Sequence, residues 1–276
     1  MALHTRAREH EQGTEPTVEV TDVAIAAGAE PFRIDPADAR TAALLCHGFT
    51  GSPASLRPVG DALGAAGVAV DLPRLPGHGT SLAEMRPTRW ADWFAVVERA
   101  LFGLAQRYAT VVVVGLSMGG ALALRLAELY GHRLAGLVLI NPAVASSDRR
   151  LRFLPLLRHL VPSLPGLAND ISRPGQDEIA YDRVPLHPLH SQVQAWRQVR
   201  EQLARITQPM LLAHSPNDRI VDPSSTQIIQ RGVSSRQITM LSLERSRHVA
   251  TLDHDAPMLI ERTVRFVQNI GGEHES

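Results

Sequence analysis

Short, mostly apolar runs alternate along most of this chain with longer stretches whose apolar residues recur every three or four positions. The runs at 42–46, 68–72, 111–114, 137–140, 209–213 and 237–241 have the length and composition of strands. Residues 54–66, about 88–108, 118–129, 224–230 and 257–269 carry the helical spacing. Strands alternating with helices in this way predict an α/β fold, a mostly parallel central sheet flanked by helices on both faces. Four consecutive valines, Val111 to Val114, mark a strand buried on both sides. Residues 17–25 and 31–34 alternate and are read as edge strands, and residues 1–13, charged and polar, as a flexible tail.

The rhythm breaks once. Between Asn141 and about Ile206 no buried strand stands out, and Pro155, Pro162, Pro165, Pro174, Pro185 and Pro188 interrupt the chain. This segment is read as an inserted set of short helices and loops. The domain reading follows: an α/β core over 14–141 and 207–276, with a cap over 142–206. The insertion leaves the end of one core strand and returns before the next. It should therefore sit above the strand C-termini, where open α/β sheets bind ligands, as a candidate lid; a decorative insertion is the alternative. Leu151, Phe153, Leu154, Leu156, Leu157, Leu160 and Leu164 would give it either an apolar underside or a small core of its own.

The totals narrow the function classes. A chain of 276 residues fits one large domain better than two. Lys plus Arg number 28 and Asp plus Glu 28, so no overall field gathers nucleic acid. The single cysteine, Cys46, excludes an internal disulfide and a zinc site of several thiolates, and is read as a buried core residue. His132, His159, His187 and His190 form no spaced metal motif with acidic residues. No run approaches the roughly 20 apolar residues that span a bilayer, and the first residues lack the apolar segment of a secretory signal. A cytoplasmic protein without stable membrane insertion is the expectation.

The most specific signal is Val111-Val112-Val113-Val114-Gly115-Leu116-Ser117-Met118-Gly119-Gly120. A buried strand must pass abruptly into a helix, and Gly115 and Gly119 let the two approach without side-chain collision. Ser117 then stands at the corner, at the positive end of the helix, as a candidate nucleophile; a helix-capping serine is the structural alternative. An earlier strand ends in Cys46-His47-Gly48-Phe49, a loop able to offer the Phe49 N–H, beside that of Met118, to an oxyanion. His47, on the strand end, is read as a brace for that loop.

A serine hydroxyl needs a general base, and that imidazole needs an acid to fix its tautomer. In a strand–turn–helix hydrolase the chain order is serine, acid, histidine. Asp218 lies in the polar loop after the strand at 209–213 and is favoured as the acid. Asp222, just before Pro223 and a helix, is better explained as a cap. His248 follows the last strand and is favoured as the base over His254, at the entrance to the final helix.

With these residues in view, the chain resembles the bacterial carboxylesterase and monoacylglycerol lipase group of the α/β-hydrolases, over roughly residues 31–270. Four stretches carry the likeness: Leu45-Cys46-His47-Gly48-Phe49-Thr50-Gly51-Ser52-Pro53, Pro73-Arg74-Leu75-Pro76-Gly77-His78-Gly79, Gly115-Leu116-Ser117-Met118-Gly119-Gly120, and Ser246-Arg247-His248-Val249-Ala250-Thr251-Leu252-Asp253. The resemblance implies Ser117 as nucleophile, Asp218 as acid and His248 as base. It also implies oxyanion amides at Phe49 and Met118, and a small helical cap over an apolar acyl pocket. The substrates it implies are monoacylglycerols or short-to-medium-chain acyl esters, with no cofactor and no metal. One residue departs from the group: Arg247 stands where glycine usually precedes the histidine, and either narrows access or points to solvent. The competing readings are a thioesterase or peptidase on the same scaffold and a hydrolase-like binding protein without chemistry. A dinucleotide domain is a poor third, because Gly115, Gly119 and Gly120 lack its glycine spacing.

Overall fold

The computed structural model describes residues 23–273. In chain order it contains β1 (Phe32–Ile34), β2 (Thr41–Cys46), α1 (Arg57–Ala65), β3 (Ala69–Leu72), α2 (Leu82–Met85), α3 (Trp90–Arg107), β4 (Thr110–Leu116), α4 (Met118–Tyr130) and β5 (Gly136–Ile140). It continues through α5 (Leu154–Leu160), β6 (Ser163–Pro165), β7 (Arg183–Pro185) and α6 (Leu186–Gln202) to β8 (Met210–His214), α7 (Ser224–Gly232), β9 (Ile238–Ser242) and α8 (Ala256–Glu273). Among the described residues, seven strands form one sheet in the order β1-β3-β2-β4-β5-β8-β9. β1 runs antiparallel to β3, and every other neighbouring pair is parallel. The expected α/β-hydrolase fold class is the one observed.

The valine run of β4 is buried at all seven strand positions because it serves two cores at once. Val111 and Val113 point to the cluster with Trp93, Val97, Leu101 and Leu122 on α3 and α4. Val112 and Val114 point to the cluster with Val59, Leu63, Leu259 and Val267 on α1 and α8. Successive side chains alternate between faces, so a strand covered by helices on both sides reads as unbroken apolar sequence. The edge strand β9 is only partly buried at Ile238 and Leu241, and exposed at its other three positions.

The strand order also places the site. From β2 the chain moves outward to β3, then returns to the opposite side of β2 as β4. Loops leaving the C-terminal ends of β2 and β4 diverge there and open a crevice, the position at which α/β sheets take ligands.

Several expectations need correction. The segment 54–66 is divided into a 3₁₀ turn at Pro53–Leu56 and α1. The short helix α2, between the strand read at 68–72 and the helix read from about 88, was not anticipated. The tail at 1–13 and most of the strand expected at 17–25 lie outside the described residues, and residues 23–25 are not in a strand. Between β5 and β8 the chain is not only short helices and loops. β6 and β7 pair as an antiparallel ribbon, and α6 runs for 17 residues against α3 and α4. The leucine-rich stretch is neither wholly an underside nor wholly a core. Leu154 is buried and Leu151 and Leu157 partly so, whereas Phe153, Leu156, Leu160 and Leu164 are exposed to solvent. Among the described residues, no helix is long and apolar enough to cross a membrane.

Candidate active site

At the end of β4 the backbone of Ser117 adopts φ 57° and ψ −118°, a strained conformation for a residue with a side chain. Its surroundings hold it there. The Ser117 N–H donates to Ile140 O at 3.0 Å, and its carbonyl accepts from Gly120 at 2.9 Å and Ala143 at 3.0 Å. The flanking glycines are sterically required. A Cβ on Gly115 would lie 2.3 Å from the Gly119 carbonyl oxygen, and one on Gly119 would lie 1.8 Å from that of Cys46. Strand, helix and the end of β2 thus meet at backbone contact. Gly48 closes the gap from the other side, its α-carbon facing Ser117 such that a Cβ would sit 3.4 Å from the serine Cβ.

This contact brings Phe49 beside the corner. The N–H of Met118, first in α4, has no intrahelical acceptor, as at any helix start. The Phe49 N–H likewise has no acceptor among the described residues. His47 braces the loop as expected: its Nε2 accepts from the Leu75 N–H at 3.1 Å, and its Nδ1 donates to the Gly48 carbonyl at 3.0 Å. Burial pushes its pKa down to about 4, so it remains neutral. Cys46 is fully buried and burial pushes its thiol pKa up.

Asp218 and His248 meet beyond the ends of β8 and β9, with Nδ1 of the ring 2.8 Å from Oδ2 of the carboxylate. The other oxygen, Oδ1, accepts the N–H groups of Ile220 at 2.8 Å and Val221 at 2.9 Å. Because an ionised carboxylate only accepts, this geometry assigns the Nδ1 proton and leaves Nε2 free as a base. Burial alone would lower the His248 pKa. The hydrogen bond and charge of Asp218, with the carboxylates of Glu178 and Asp170, outweigh it and raise the value. Ser117 and His248 are both 7% exposed, which leaves each side chain only a narrow opening to solvent. No hydrogen bond joins the Ser117 hydroxyl to the ring among the described residues.

The alternatives fall elsewhere. Asp222 stands one residue before Pro223, the N-cap of α7, and accepts the N–H groups of Ser224 at 2.9 Å and Ser147 at 2.8 Å. These hydrogen bonds hold its pKa low. His254 is exposed. Asp253 lies directly before it. It is fully buried and accepts the N–H groups of Ser172, Arg173, Arg247 and His254. Burial opposes its charge, but these four donors outweigh it and lower its pKa. Among the described residues, no cluster of three or more His, Cys, Asp or Glu is arranged to hold a metal ion.

Asn141 and Glu178, which bear on this geometry, were not singled out in the sequence. Asn141 was read only as the stop of β5. Its Oδ1 accepts the Ser215 N–H at 2.7 Å and its Nδ2 donates to the His248 carbonyl at 2.7 Å, tying the acid-bearing strand end to the histidine loop. Its φ of 43° is the signal available in hindsight, since Asn tolerates the left-handed region better than most residues. Glu178, from the insertion, approaches the site: a Cβ on Gly51 would lie 3.2 Å from its carboxylate, and Ser52 Oγ donates to its carbonyl.

Comparison with known proteins adds an independent line. Residues 37–255 match the model of a family described as serine aminopeptidase, S33. The chain is similar to a thermostable monoacylglycerol lipase of Bacillus sp. (strain H-257), 39% identical over 253 residues that cover 90% of this chain and 98% of the relative. It is also similar to a carboxylesterase of Bacillus subtilis (strain 168), 23% identical across 87% of this chain and 97% of the relative. Among solved structures, a chain from work on LipS and LipT, two metagenome-derived lipolytic enzymes, superimposes with a TM-score of 0.85. That chain is 35% identical, with 89% of this chain and all of the other covered.

Proposed function

The chain belongs to the serine aminopeptidase S33 family of α/β-hydrolases, and from that premise we propose that Ser117, His248 and Asp218 form the catalytic triad of its esterase reaction. The enzyme is a carboxylic ester hydrolase; the proposal concerns which residues carry the chemistry and which esters it prefers. The observation that carries it is the His248–Asp218 pair at 2.8 Å, with Nε2 left free, in the same molecule as a serine on a strained strand–helix corner.

Nε2 takes the proton as Ser117 Oγ attacks the ester carbonyl carbon. The carbonyl oxygen becomes an oxyanion, and the unused N–H groups of Phe49 and Met118 donate to it; one such donor is typically worth about 3–4 kcal/mol. His248 then returns the proton to the departing alcohol. Water attacks the remaining acyl-enzyme and gives its proton to His248, which passes it to Ser117 Oγ as the acyl–oxygen bond breaks and the carboxylic acid is released. Phe49, partly exposed and packed against the buried Trp93, gives this loop an apolar side chain. The relative from Bacillus sp. is named for monoacylglycerols, and these, with short-to-medium-chain esters, are the substrates proposed here.

The family description favours one second reading, cleavage of amides. A matched panel of monoacylglycerols, alkyl esters, thioesters and peptide amides separates the two. Expected is highest kcat/KM on monoacylglycerols, and loss of ester turnover and fluorophosphonate labelling in Ser117→Ala. Full turnover by that folded variant overturns the triad; amides turned over faster than matched esters overturn the substrate assignment.

A further inference from the structure

The Asp218–His248 contact joins two loops that rise from separate strands, β8 and β9, and the sheet register below does not by itself set their relative height. A third segment crosses both. Asp170 belongs to the insertion, lies outside its helices and strands, and is 1% exposed. Its Oδ2 accepts two backbone N–H groups, that of Arg219 at 3.2 Å and that of His248 at 3.3 Å. Its Oδ1 accepts from Arg219 Nε at 2.8 Å and Nη2 at 2.5 Å. Its backbone carbonyl accepts the Val249 N–H at 3.2 Å. One buried carboxylate therefore grips the residue that follows Asp218 and the backbone of His248 itself.

We infer that Asp170 is a positioning residue for the reaction, a clamp from the insertion that holds the acid loop and the base loop in register. The inference rests on the reading of Asp218 and His248 as acid and base. Burying a carboxylate costs several kcal/mol unless it is paired, so a residue placed here solely for stability is a poor choice. The grip has a catalytic use: misplacing a reacting group by about 1 Å can cost about 100-fold in rate. Four further bonds run beside it, because the buried Asp253 ties Ser172 and Arg173 to Arg247 and His254. Residues 170–173 are thereby built into the histidine loop, which a freely opening lid could not be.

Charge supplies the readout. The groups facing His248 are Asp218 through Nδ1, and the carboxylates of Glu178 and Asp170, all of which favour the protonated ring. Arg219 neutralises Asp170. Asp170→Asn keeps the size and removes the charge. Its amide cannot accept on both sides, so one set of donors is lost. Expected, per active site titrated with a fluorophosphonate, is a fall in kcat of about 10- to 100-fold with KM within about twofold. The acid limb of kcat/KM should move to lower pH. Arg219→Gln leaves the bond from Asp170 to the His248 backbone in place and unmasks the carboxylate, so its acid limb should move to higher pH. A purely structural role lowers Tm and the number of titratable sites while leaving both the per-site kcat and the limb unchanged; that result overturns the clamp. If Asp170→Asn does not fold, an unmoved limb in Arg219→Gln overturns it equally. Ser117→Ala measured in parallel keeps the two readings apart, since retained turnover there refutes the triad whatever Asp170 does.

Discussion

The two oxygens of Asp218 have different partners, and the substitution Asp218→Asn tests whether that division of labour runs the reaction. Oδ1 receives two backbone donors, from Ile220 and Val221, while Oδ2 faces a single ring nitrogen. An amide has one acceptor and one donor end. Turning its NH₂ toward two N–H groups leaves two backbone donors unmatched, at about 1–3 kcal/mol each; turning it toward the ring sacrifices one contact that the ring can restore by shifting its proton. The amide oxygen therefore stays on the loop and the NH₂ faces Nδ1. The ring must then accept at Nδ1 and carry its proton on Nε2, so the nitrogen meant to take the Ser117 proton is already occupied. In triads of this kind the wrong tautomer costs about 10⁴-fold in kcat, or about 5 kcal/mol. Because both loop N–H groups keep their acceptor, Tm should change by only a few degrees. Steady-state hydrolysis of a p-nitrophenyl ester, normalised to folded protein by circular dichroism, measures the effect. A variant that keeps more than about a tenth of the wild-type kcat refutes the tautomer argument. So does one that collapses as an alanine would.

Other consequences are equally open to measurement. Gly119→Ala would drive a methyl group into the backbone carbonyl of Cys46. Neither partner is a side chain that can rotate away, so a loss of about 3 kcal/mol or more is expected in urea unfolding, or no soluble protein. Asn141→Ala removes both bonds between the Ser215 N–H and the His248 carbonyl. A loss of about 2–4 kcal/mol is expected, with kcat falling more than KM rises; unchanged stability would refute the bridge. The ester kcat/KM should fall on acidification with a midpoint above the ordinary imidazole value of 6.5, because the base must be neutral and its pKa is raised; a midpoint below 6 would contradict this. Glu128 on α4 is buried, and burial raises its pKa from 4.5 to about 7 despite the Arg125 contact. Between these values the folded state binds more protons than the unfolded one, so stability falls as pH rises through that window. Glu128→Gln should abolish the fall and gain about 3 kcal/mol over wild type between pH 5 and pH 8, read as a change in urea midpoint.

Legibility in the sequence followed the physics of each element. β4 and α4 were readable because a strand buried on both faces and the helix packed behind it tolerate little but apolar and small residues, and the corner between them admits only glycine at 115 and 119. The Asp218–His248 contact was legible because the candidate serine, acid and base each follow a recognisable strand. α6 was not. Its buried apolar positions include Leu186, Ala195, Trp196 and Val199, but His190 and Gln192 are buried among them and dilute the pattern. Pro185 and Pro188 also read as breakers, although the first precedes the helix and the second lies in its opening turn, where proline is tolerated.

The residues that brace the proposed triad were invisible for a different reason. Asn141, Asp170 and Asp253 act through single oxygen and nitrogen atoms on the backbones of distant loops, and such contacts leave no periodicity. Asp170 is also separated from His248 by 78 positions and lies in the stretch with the least regular pattern. Its carboxylate and the backbone amides it grips become neighbours only once the insertion folds back across the ends of β8 and β9. An insertion read as a lid is thus, over residues 170–173, bonded into the loop that carries His248. Any opening motion of the cap would have to hinge outside that segment, since moving it would break the Asp170 and Asp253 contacts that hold the histidine loop.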